Sequence, residues 1–245
     1  MRRLHCSEIW GGIKDAELDV CSAGLTASLY SSACDGGKGG DAYYFSLCDS
    51  DCINHLVLAD VVGHGEGVSQ ISEWVYGQLQ DHVNDTDQPA MMTELNNRIV
   101  EKGFSAMTTA VIITYYRPEH RVYFSYAGHP PMLARSNGGA WTTLQLADGV
   151  EARNLPLGVT AGTRYDMGEA PFQEGDKLFL FSDGVLEAPN ASGELFGSHR
   201  VESALREVGD QEPLQIKAHM LTRLREWAGR EFRHDDVTLI AVELA

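Results

Sequence analysis

Short runs of apolar, β-branched and aromatic residues recur along the chain, and turns rich in Gly, Asp or Pro separate them. Such runs are typical of β-strands, because branched and aromatic side chains fit a pleated, half-buried surface. The pattern predicts strands at residues 20–30, 56–61, 109–116, 122–126, 177–181 and 237–242. We therefore expect a domain in which strands make up much of the core.

Two blocks of the chain carry apolar residues at the three- and four-residue spacing of an amphipathic helix. In the first block the apolar faces comprise Val68, Ile71, Val75 and Leu79, followed by Met91, Leu95 and Ile99. In the second block they comprise Val201, Ala204, Leu205 and Val208, followed by Leu214, Ala218, Leu221 and Leu224. This order of strands and helix pairs does not follow the alternation of a parallel sheet. It predicts an α+β domain in which helix pairs cover antiparallel sheets.

The charge balance narrows the classes of partner. The 245 residues hold 35 Asp and Glu against 19 Lys and Arg, a formal net charge of −16. Nucleic acid and anionic lipid attract basic surfaces, so neither is an expected partner. No apolar stretch approaches the ~20 residues that a membrane-spanning helix needs.

Cysteine usage and the N-terminus favour a cytoplasmic location. The five cysteines lie within the first 52 residues, and none forms a C-x-x-C pair. No second Cys/His cluster completes a zinc pattern, so we interpret them as reduced structural thiols. The opening MRRLHCSEIW is basic but lacks the apolar region of a signal peptide. Residues 1–245 are expected to form one domain without a separate sensor domain.

Acidic residues stand beside glycine or at the ends of several predicted strands. Asp41 closes the sequence GGKGGD, Asp60 ends LVLAD, and Asp183 follows KLFLFS. Asp235 and Asp236 precede the last predicted strand. Taken singly, each is also typical of a turn, where the Asp side chain bonds its own backbone. Their recurrence at strand ends favours a shared site.

Carboxylates gathered in this way match what hard divalent cations require. Mg²⁺ and Mn²⁺ prefer oxygen ligands, keep several waters and are held by only a few carboxylates. Two such ions about 3.5–4 Å apart can activate a water and neutralise the charge that develops in phosphoryl transfer. Without cations the same carboxylates would repel one another. The pattern therefore indicates a metal centre suited to phosphoryl chemistry.

Seven short motifs follow one another along the chain. They are GGD at 39–41, DVVGHGE at 60–66, SYAGHPPML at 125–133, LPLG at 155–158, LFLFSDGVLEA at 178–188, GELFG at 193–197 and DDVTL at 235–239. In this order they resemble the SpoIIE-type branch of the metal-dependent (PPM, 2C-type) protein phosphatases, a bacterial serine/threonine phosphatase family. The resemblance covers residues 35–245. It implies a four-layer α-β-β-α sandwich, with two antiparallel sheets flanked by helix pairs.

For the site, the resemblance implies two Mn²⁺ or Mg²⁺ ions and a hydroxide bound by both that attacks phosphorus directly, without a phosphoenzyme. Asp41 and Asp60 would hold one ion together with the backbone carbonyl of Val61. Asp60 would bridge to the second ion, which Asp183 and Asp235 complete. These four aspartates are therefore the candidate catalytic residues.

Three neighbouring residues receive lesser roles. Asp236 is the less favoured ligand, because Asp235 is the first acid of the DDxT pattern. His64 is expected to order the loop around the metals. His129 is expected to pack or hydrogen-bond in a turn and not to act as a catalyst.

The resemblance further implies a phosphoserine or phosphothreonine protein as substrate, such as a phosphorylated anti-sigma-factor antagonist of bacterial partner switching. It also implies a partner contact, or a homodimer, on the helix pair at 65–101. Two alternatives stay open. One is a degenerate phosphatase that binds a phosphoprotein without hydrolysing it, and the other is a metal-dependent phosphatase of a small metabolite. The presence of all four expected ligand acids favours an active enzyme.

Overall fold

The computed structural model describes residues 1–6, 8–48, 52–63, 66–82, 87–146, 154–229 and 232–245, with the backbone alone at 48, 66 and 67. The strands are β1 Arg2–Arg3, β2 Glu8–Lys14, β3 Ala16–Cys21, β4 Leu25–Ser32, β5 Lys38–Cys48, β6 Ile53–Val61, β7 Thr108–Tyr116, β8 Arg121–Ala127, β9 Leu133–Arg135, β10 Trp141–Thr143, β11 Gly168–Pro171, β12 Lys177–Phe181 and β13 Val237–Leu244. The helices are α1 Glu66–Asp81, α2 Gln88–Lys102, α3 Asp183–Glu187, α4 Gly197–Val208 and α5 Pro213–Ala228, with 3₁₀ turns at Phe104–Ala106 and Arg117–Glu119.

The strands form two sheets. One has the order β1-β3-β4-β13-β12-β9-β10, and the other has the order β11-β8-β7-β6-β5-β2. Pairing within both sheets is antiparallel, except that the two-residue strand β1 lies parallel to β3. The predicted α+β class with antiparallel sheets is therefore confirmed, with that one short exception.

Three apolar layers hold the sheets and helices together. Leu29, Phe45, Leu58 and Ile240 belong to the layer between the two sheets. A second layer joins the six-stranded sheet to α1 and α2, and a third joins the seven-stranded sheet to α4 and α5. Burial of alternate residues on two faces explains why the central strands are almost continuously apolar. The order of layers is α-β-β-α, as expected.

The sequence patterns fail in two places. The predicted strand at 20–30 is two strands, because β3 ends at Cys21 and the Ser22 hydroxyl accepts the N–H groups of Gly24 and Leu25 to form a tight turn. In α5 the buried face includes Ile216 and Met220, whereas Leu214 of the predicted apolar face is 49% exposed. Apolar spacing alone allowed two neighbouring faces of this helix, and packing against β4 and β13 selected one.

Two further expectations concern cysteine and membranes. Among the described side chains, Cys6, Cys21, Cys34 and Cys52 form no disulfide. Within the described ranges, every helix is too short or too polar to cross a bilayer.

Candidate metal centre

Strand register brings the predicted acids to one end of the sandwich. Asp41 on β5 lies directly opposite Asp60 on β6. In the other sheet, Phe181 at the end of β12 pairs with Leu239 near the start of β13. Asp183 follows that end of β12, and residues 235 and 236 precede β13. Both sheets therefore deliver carboxylates to the same edge.

Asp41 departs from the sequence expectation in one respect. It was expected where a glycine-rich loop meets a strand, but β5 begins at Lys38 and includes both Gly39 and Gly40. Both strand positions require glycine, because the Asp236 carboxylate and the Val61 carbonyl occupy the space that a side chain would take. A side chain at Gly40 would lie 2.7 Å from the Val61 carbonyl oxygen. Only glycine lets these backbones approach so closely.

The Asp41 carboxyl is buried and only partly satisfied. Its residue is 3% exposed. The Ser182 hydroxyl donates to its Oδ2 at 2.8 Å. Its Oδ1 is buried and has no hydrogen-bond partner among the described residues. A buried carboxylate oxygen without a hydrogen-bond donor destabilises the fold. This oxygen is suited to bind a divalent cation.

Burial and mutual repulsion disfavour the charged form of these acids. Burial raises the pKa of Asp60 well above its ordinary value, and the charges of Asp41, Asp183, Asp235 and Asp236 raise it further. Burial likewise raises the pKa of Asp41, Asp183 and Asp235. A protonated Asp60 carboxyl beside Asp183 lowers the pKa of Asp183, although burial outweighs this. Without a cation, full ionisation of the cluster is therefore unfavourable.

Several Lys and Arg residues form their ion pairs with acids outside this cluster, among them Glu73, Glu94, Glu169, Asp210 and Glu243. His234 lowers the pKa of Asp235, but burial outweighs it and raises that pKa overall. Buried carboxylates are normally paired with a cation or coordinate a metal. The donor set, which consists only of oxygens, matches Mg²⁺ or Mn²⁺.

The arrangement is an open cluster and not a closed cage. Across the described ranges, no three side chains of His, Cys, Asp or Glu surround one point as a ready ligand set. This is compatible with Mg²⁺, which keeps several waters and does not need a cage built only from protein ligands. The residues present therefore fit such a cation with water completing its shell.

Asp235 and Asp236 are adjacent in sequence but differ in environment. Asp236 is buried, and both of its carboxylate oxygens accept backbone N–H groups: Cys34 donates to Oδ1 at 2.8 Å and Gly40 donates to Oδ2. Asp235 is half-buried, and its Oδ1 accepts the backbone N–H of Asp236. Asp236 thus ties the start of β5 to β13, which leaves Asp235 as the acid with carboxylate oxygen to spare.

Two supporting residues, Ser182 and Thr238, went unrecognised in the sequence. Ser182 donates to Asp41 and accepts the backbone N–H of Thr238 at 3.0 Å. Both residues lie inside the motifs LFLFSDG and DDVTL. Their positions could have indicated this role, since Ser182 directly precedes Asp183 and Thr238 follows Asp236 by two residues. Alternation along each strand turns both side chains toward the other sheet.

The sequence analysis assigned roles to His64 and His129. His64 lies outside the described residues. His129 is buried, and its Nδ1 lies 3.0 Å from the hydroxyl oxygen of Thr109. Thr109 on β7 is the strand partner of Asp60 on β6. Burial lowers the pKa of His129 to about 3, so the ring is neutral.

Comparison with known proteins identifies relatives of the chain. The family model described as Stage II sporulation protein E (SpoIIE) matches residues 54–245. Phosphoserine phosphatase RsbU of Bacillus subtilis (strain 168) is 27% identical over 213 residues, which cover 83% of this chain and 58% of RsbU. Phosphoserine phosphatase RsbP of the same organism is 24% identical over 211 residues, which cover 84% of this chain and 49% of RsbP. The chain thus spans about half the length of these relatives.

Solved structures share the fold. The crystal structure of the RsbU and RsbW domains of Rv1364c from Mycobacterium tuberculosis aligns with a TM-score of 0.76 and 19% identity. The alignment covers 95% of this chain and 62% of that one. At this identity the likeness supports the sandwich architecture and leaves the chemistry to the residues of the site.

Proposed function

Because this chain belongs to the SpoIIE family, we propose that it is a metal-dependent protein phosphatase acting on phosphoserine or phosphothreonine. The observation that carries the proposal is the gathering of four acids at one end of the sandwich, where Asp41 is buried and Asp60, Asp183 and Asp235 are half-buried. The unpartnered Oδ1 of Asp41 supports a metal in the same place.

Each acid has a distinct task in this proposal. Asp60 lies opposite Asp41 in its own sheet and close to Asp183 of the other sheet. This position is suited to bridging two ions. Asp41 and the Val61 carbonyl would complete one ion, and Asp183 and Asp235 would complete the other. Two bound Mn²⁺ or Mg²⁺ ions would supply an activated water and neutralise the phosphoryl oxygens. Ser182 fixes the orientation of Asp41 through its hydroxyl.

The substrate class follows from the relatives and from charge. RsbU and RsbP are named as phosphoserine phosphatases, and we extend that substrate class to this chain. A phosphate dianion meets an excess of sixteen negative charges on the protein. Divalent cations reverse the local field at the site, so phosphate binding itself should depend on them. A phosphorylated anti-sigma-factor antagonist is the specific protein substrate that we propose.

Phosphate release from p-nitrophenyl phosphate and from a phosphoserine protein tests the proposal. Both reactions should require added Mn²⁺ or Mg²⁺ and stop when a chelator is added. Asp183→Asn should lower both rates by about 10²- to 10³-fold, since it removes a ligand charge without changing side-chain size. Asp176→Asn is the matched control, because Asp176 is buried but accepts backbone N–H groups from Asn137 and Gln173.

Turnover that persists in chelator, or an Asp183→Asn protein as active as the wild type, would contradict the two-metal site. Hydrolysis of small phosphate esters with no release from any phosphoprotein would instead favour a metabolite phosphatase. Binding of a phosphoprotein without any turnover would favour a degenerate binding module.

A further inference from the structure

The segment between β8 and β9 carries the chain from one sheet to the other. β8 belongs to the six-stranded sheet and β9 to the seven-stranded sheet, and residues 128–132 join them. Gly128 turns the chain with a φ of 65°, and a Cβ atom there would lie 2.4 Å from the Pro156 ring. Gly128 also forms a β-bridge with Ala110 on β7. This turn sets the next residue, His129, beside β7 with only 6% of its surface exposed.

One face of β7 leads directly to the acids. Val111 and Ile113 lie in the layer between the two sheets, so alternation along β7 turns Thr109 toward the same layer. Thr109 is directly opposite Asp60 on β6, and Asp60 is directly opposite Asp41 on β5. These three side chains therefore form a row across three strands. Directly opposite side chains of antiparallel strands have Cβ atoms about 5 Å apart, which lets a hydroxyl bond to its neighbour.

The Thr109 hydroxyl already has a partner in His129. Its oxygen lies 3.0 Å from Nδ1 of the ring. Burial lowers the pKa of His129 to about 3, so the ring is neutral, with one nitrogen protonated and the other an acceptor. Nε2 is buried and forms no hydrogen bond within the described residues. Neutral histidine side chains favour the tautomer with the proton on Nε2, which makes Nδ1 the acceptor of the Thr109 hydroxyl.

Asp60 needs its carboxylate oxygens more than Asp41 does. In the proposed centre Asp41 can give one oxygen to a cation, since its other oxygen accepts the Ser182 hydroxyl at 2.8 Å. Asp60 would bridge two ions and so would use both of its oxygens. A hydroxyl that donated to Asp60 would compete with one of those ions. Because a hydroxyl has a single proton, Thr109 cannot donate to Asp60 while it donates to His129.

We propose that His129 is a positioning residue of the metal centre: its Nδ1 accepts the hydroxyl proton of Thr109 and thereby keeps that hydroxyl from donating to Asp60. The inference rests on the proposed function, because it concerns the acid assigned to bridge two cations. It gives the buried histidine of the AGHPP turn a role that packing alone would not require. It also implies that Thr109 weakens metal binding once His129 is removed.

Isothermal titration of the full chain with Mn²⁺, without substrate, tests the proposal. His129→Leu should weaken Mn²⁺ binding by about tenfold, the loss expected when a residue that supports a metal ligand is removed. Thr109→Val removes the competing hydroxyl and should bind Mn²⁺ within about twofold of the wild type. The double variant that carries both substitutions should recover binding to within about twofold of the wild type, because no hydroxyl then remains to compete.

The double variant separates this role from packing. If His129 only filled space, the added Thr109→Val would leave Mn²⁺ binding as weak as in His129→Leu, or weaken it further. Either result would overturn the proposal, as would a His129→Leu protein that binds Mn²⁺ as the wild type does. His129→Asn places an amide oxygen near the position of Nδ1 and should restore binding to within about threefold of the wild type.

A matched control lies on the other face of the same strands. His55 is also buried, and its Nδ1 lies 2.9 Å from the hydroxyl oxygen of Thr114 on β7. Val57 and Ile112, two residues along the same strands, belong to the layer beneath α1 and α2. His55→Leu should therefore leave Mn²⁺ affinity within about twofold of the wild type. Equal loss of affinity in His55→Leu and His129→Leu would show a general effect of destabilisation and would overturn the proposal.

Nitrogen-15 NMR of the metal-free wild type tests the proton assignment without relying on a substitution at the site. The ring signals of His129 are identified as those missing from the spectrum of His129→Asn. They should show a proton on Nε2 and none on Nδ1. A proton on Nδ1 would mean that the ring donates to Thr109, which frees the hydroxyl proton for Asp60. That result would overturn the proposal.

Metal affinity separates this inference from the function on which it rests. If the wild type binds Mn²⁺ but releases no phosphate from any substrate, the phosphatase proposal fails. The affinities of the single and double variants would then still decide the role of His129. If the wild type binds no Mn²⁺, the metal centre and this inference both fail.

Discussion

Buried charge at the two ends of strand β12 has opposite surroundings: opposite charges at one end and like charges at the other. At its start Lys177 is 5% exposed and pairs with Asp210 at 3.0 Å and Glu243 at 2.8 Å. Just beyond its end, Asp183 contacts another acid, Asp60. The first end is neutralised by the chain itself. The second is an accumulation of like charge.

The pKa directions express the same contrast. Burial lowers the pKa of Lys177, but its hydrogen bonds to Glu243 and Asp210 outweigh burial and raise it overall. The Lys177 hydrogen bond holds the pKa of Asp210 below its usual value. At the other end, burial raises the pKa of Asp60 and Asp183. The comparison teaches that the chain compensates the charge at one end with its own residues, whereas our proposal requires cations from solution at the other.

The largest effect should come from neutralising the central acid of the unpaired end. Asp60→Asn should lower metal-dependent phosphate release by about 10²- to 10³-fold, because it removes the charge proposed to bridge two ions. The metal-free variant should unfold at the same temperature as metal-free wild type, or higher, since repulsion is relieved. Steady-state kinetics and thermal unfolding in chelator measure the two quantities. Equal activity with a lower unfolding temperature would make Asp60 a structural acid.

Asp236 lies at the same end of the sandwich as Asp60 and Asp183, but backbone N–H groups satisfy its carboxylate. It therefore separates a structural acid from the proposed metal ligands. Asp236→Asn places an amide group against the N–H groups of Cys34 and Gly40. It should cost about 2–3 kcal/mol in the free energy of unfolding, as expected for loss of a charge-assisted hydrogen bond. Urea denaturation in chelator measures it. An unchanged stability with lost Mn²⁺ binding would reverse the roles of Asp235 and Asp236.

At the paired end, removing the cation should destabilise the fold and spare the chemistry. Lys177→Met should lower the free energy of unfolding by about 2 kcal/mol, less than for a fully buried pair because Asp210 and Glu243 are partly exposed. Activity per folded molecule should not change. Arg223→Met, which removes exposed pairs with Glu207 and Glu226, is the control and should cost less than about 1 kcal/mol. A large loss of activity in Lys177→Met would remove the distinction between the ends.

A neutral buried residue isolates the effect of burial alone. His55 lies on β6, 4% exposed, with its Nδ1 2.9 Å from the Thr114 hydroxyl oxygen, and burial lowers its pKa from 6.5 to about 4. Below pH 6.5 His55 is protonated in the unfolded chain, whereas in the folded chain it stays neutral until near pH 4. The free energy of unfolding therefore falls as the pH falls from 6.5 to 4.

The loss attributable to His55 between pH 8 and pH 5 should be about 2 kcal/mol. It is measured as the difference in unfolding free energy between wild type and His55→Gln at the two pH values. The variant should have the shallower pH dependence. Parallel curves would contradict a buried neutral ring.

Much of the fold followed from the chain alone, and what escaped prediction was decided by packing. Residues 56–61 and 237–242 are buried strands because nearly every position in them is apolar. The turn after Cys21 was missed because Ser22 and Gly24 sit in a run of small residues that looks continuous with both strands. The exposure of Leu214 depends on which helix face meets the sheet, which no local pattern determines.

The candidate acids were recognised because glycine and strand ends mark them, and the resemblance assigned their roles, but the contacts that hold each acid in place were not predictable. The cross-strand register that sets Asp41 opposite Asp60 depends on pairing between distant segments. The backbone donors that occupy Asp236 come from residues 196 and 202 positions away in the chain. Sequence spacing cannot reveal such contacts, because they form only when the two sheets close.

Isothermal titration of the chelator-treated protein with Mn²⁺ tests the central claim most directly, since it needs no substrate. The wild type should bind two ions per chain, Asp60→Asn should bind fewer and more weakly, and Asp210→Asn at the paired end should bind two as the wild type does. Absence of Mn²⁺ and Mg²⁺ binding to the wild type, or equal binding by Asp60→Asn, would contradict the assignment of the unpaired acids as a metal centre.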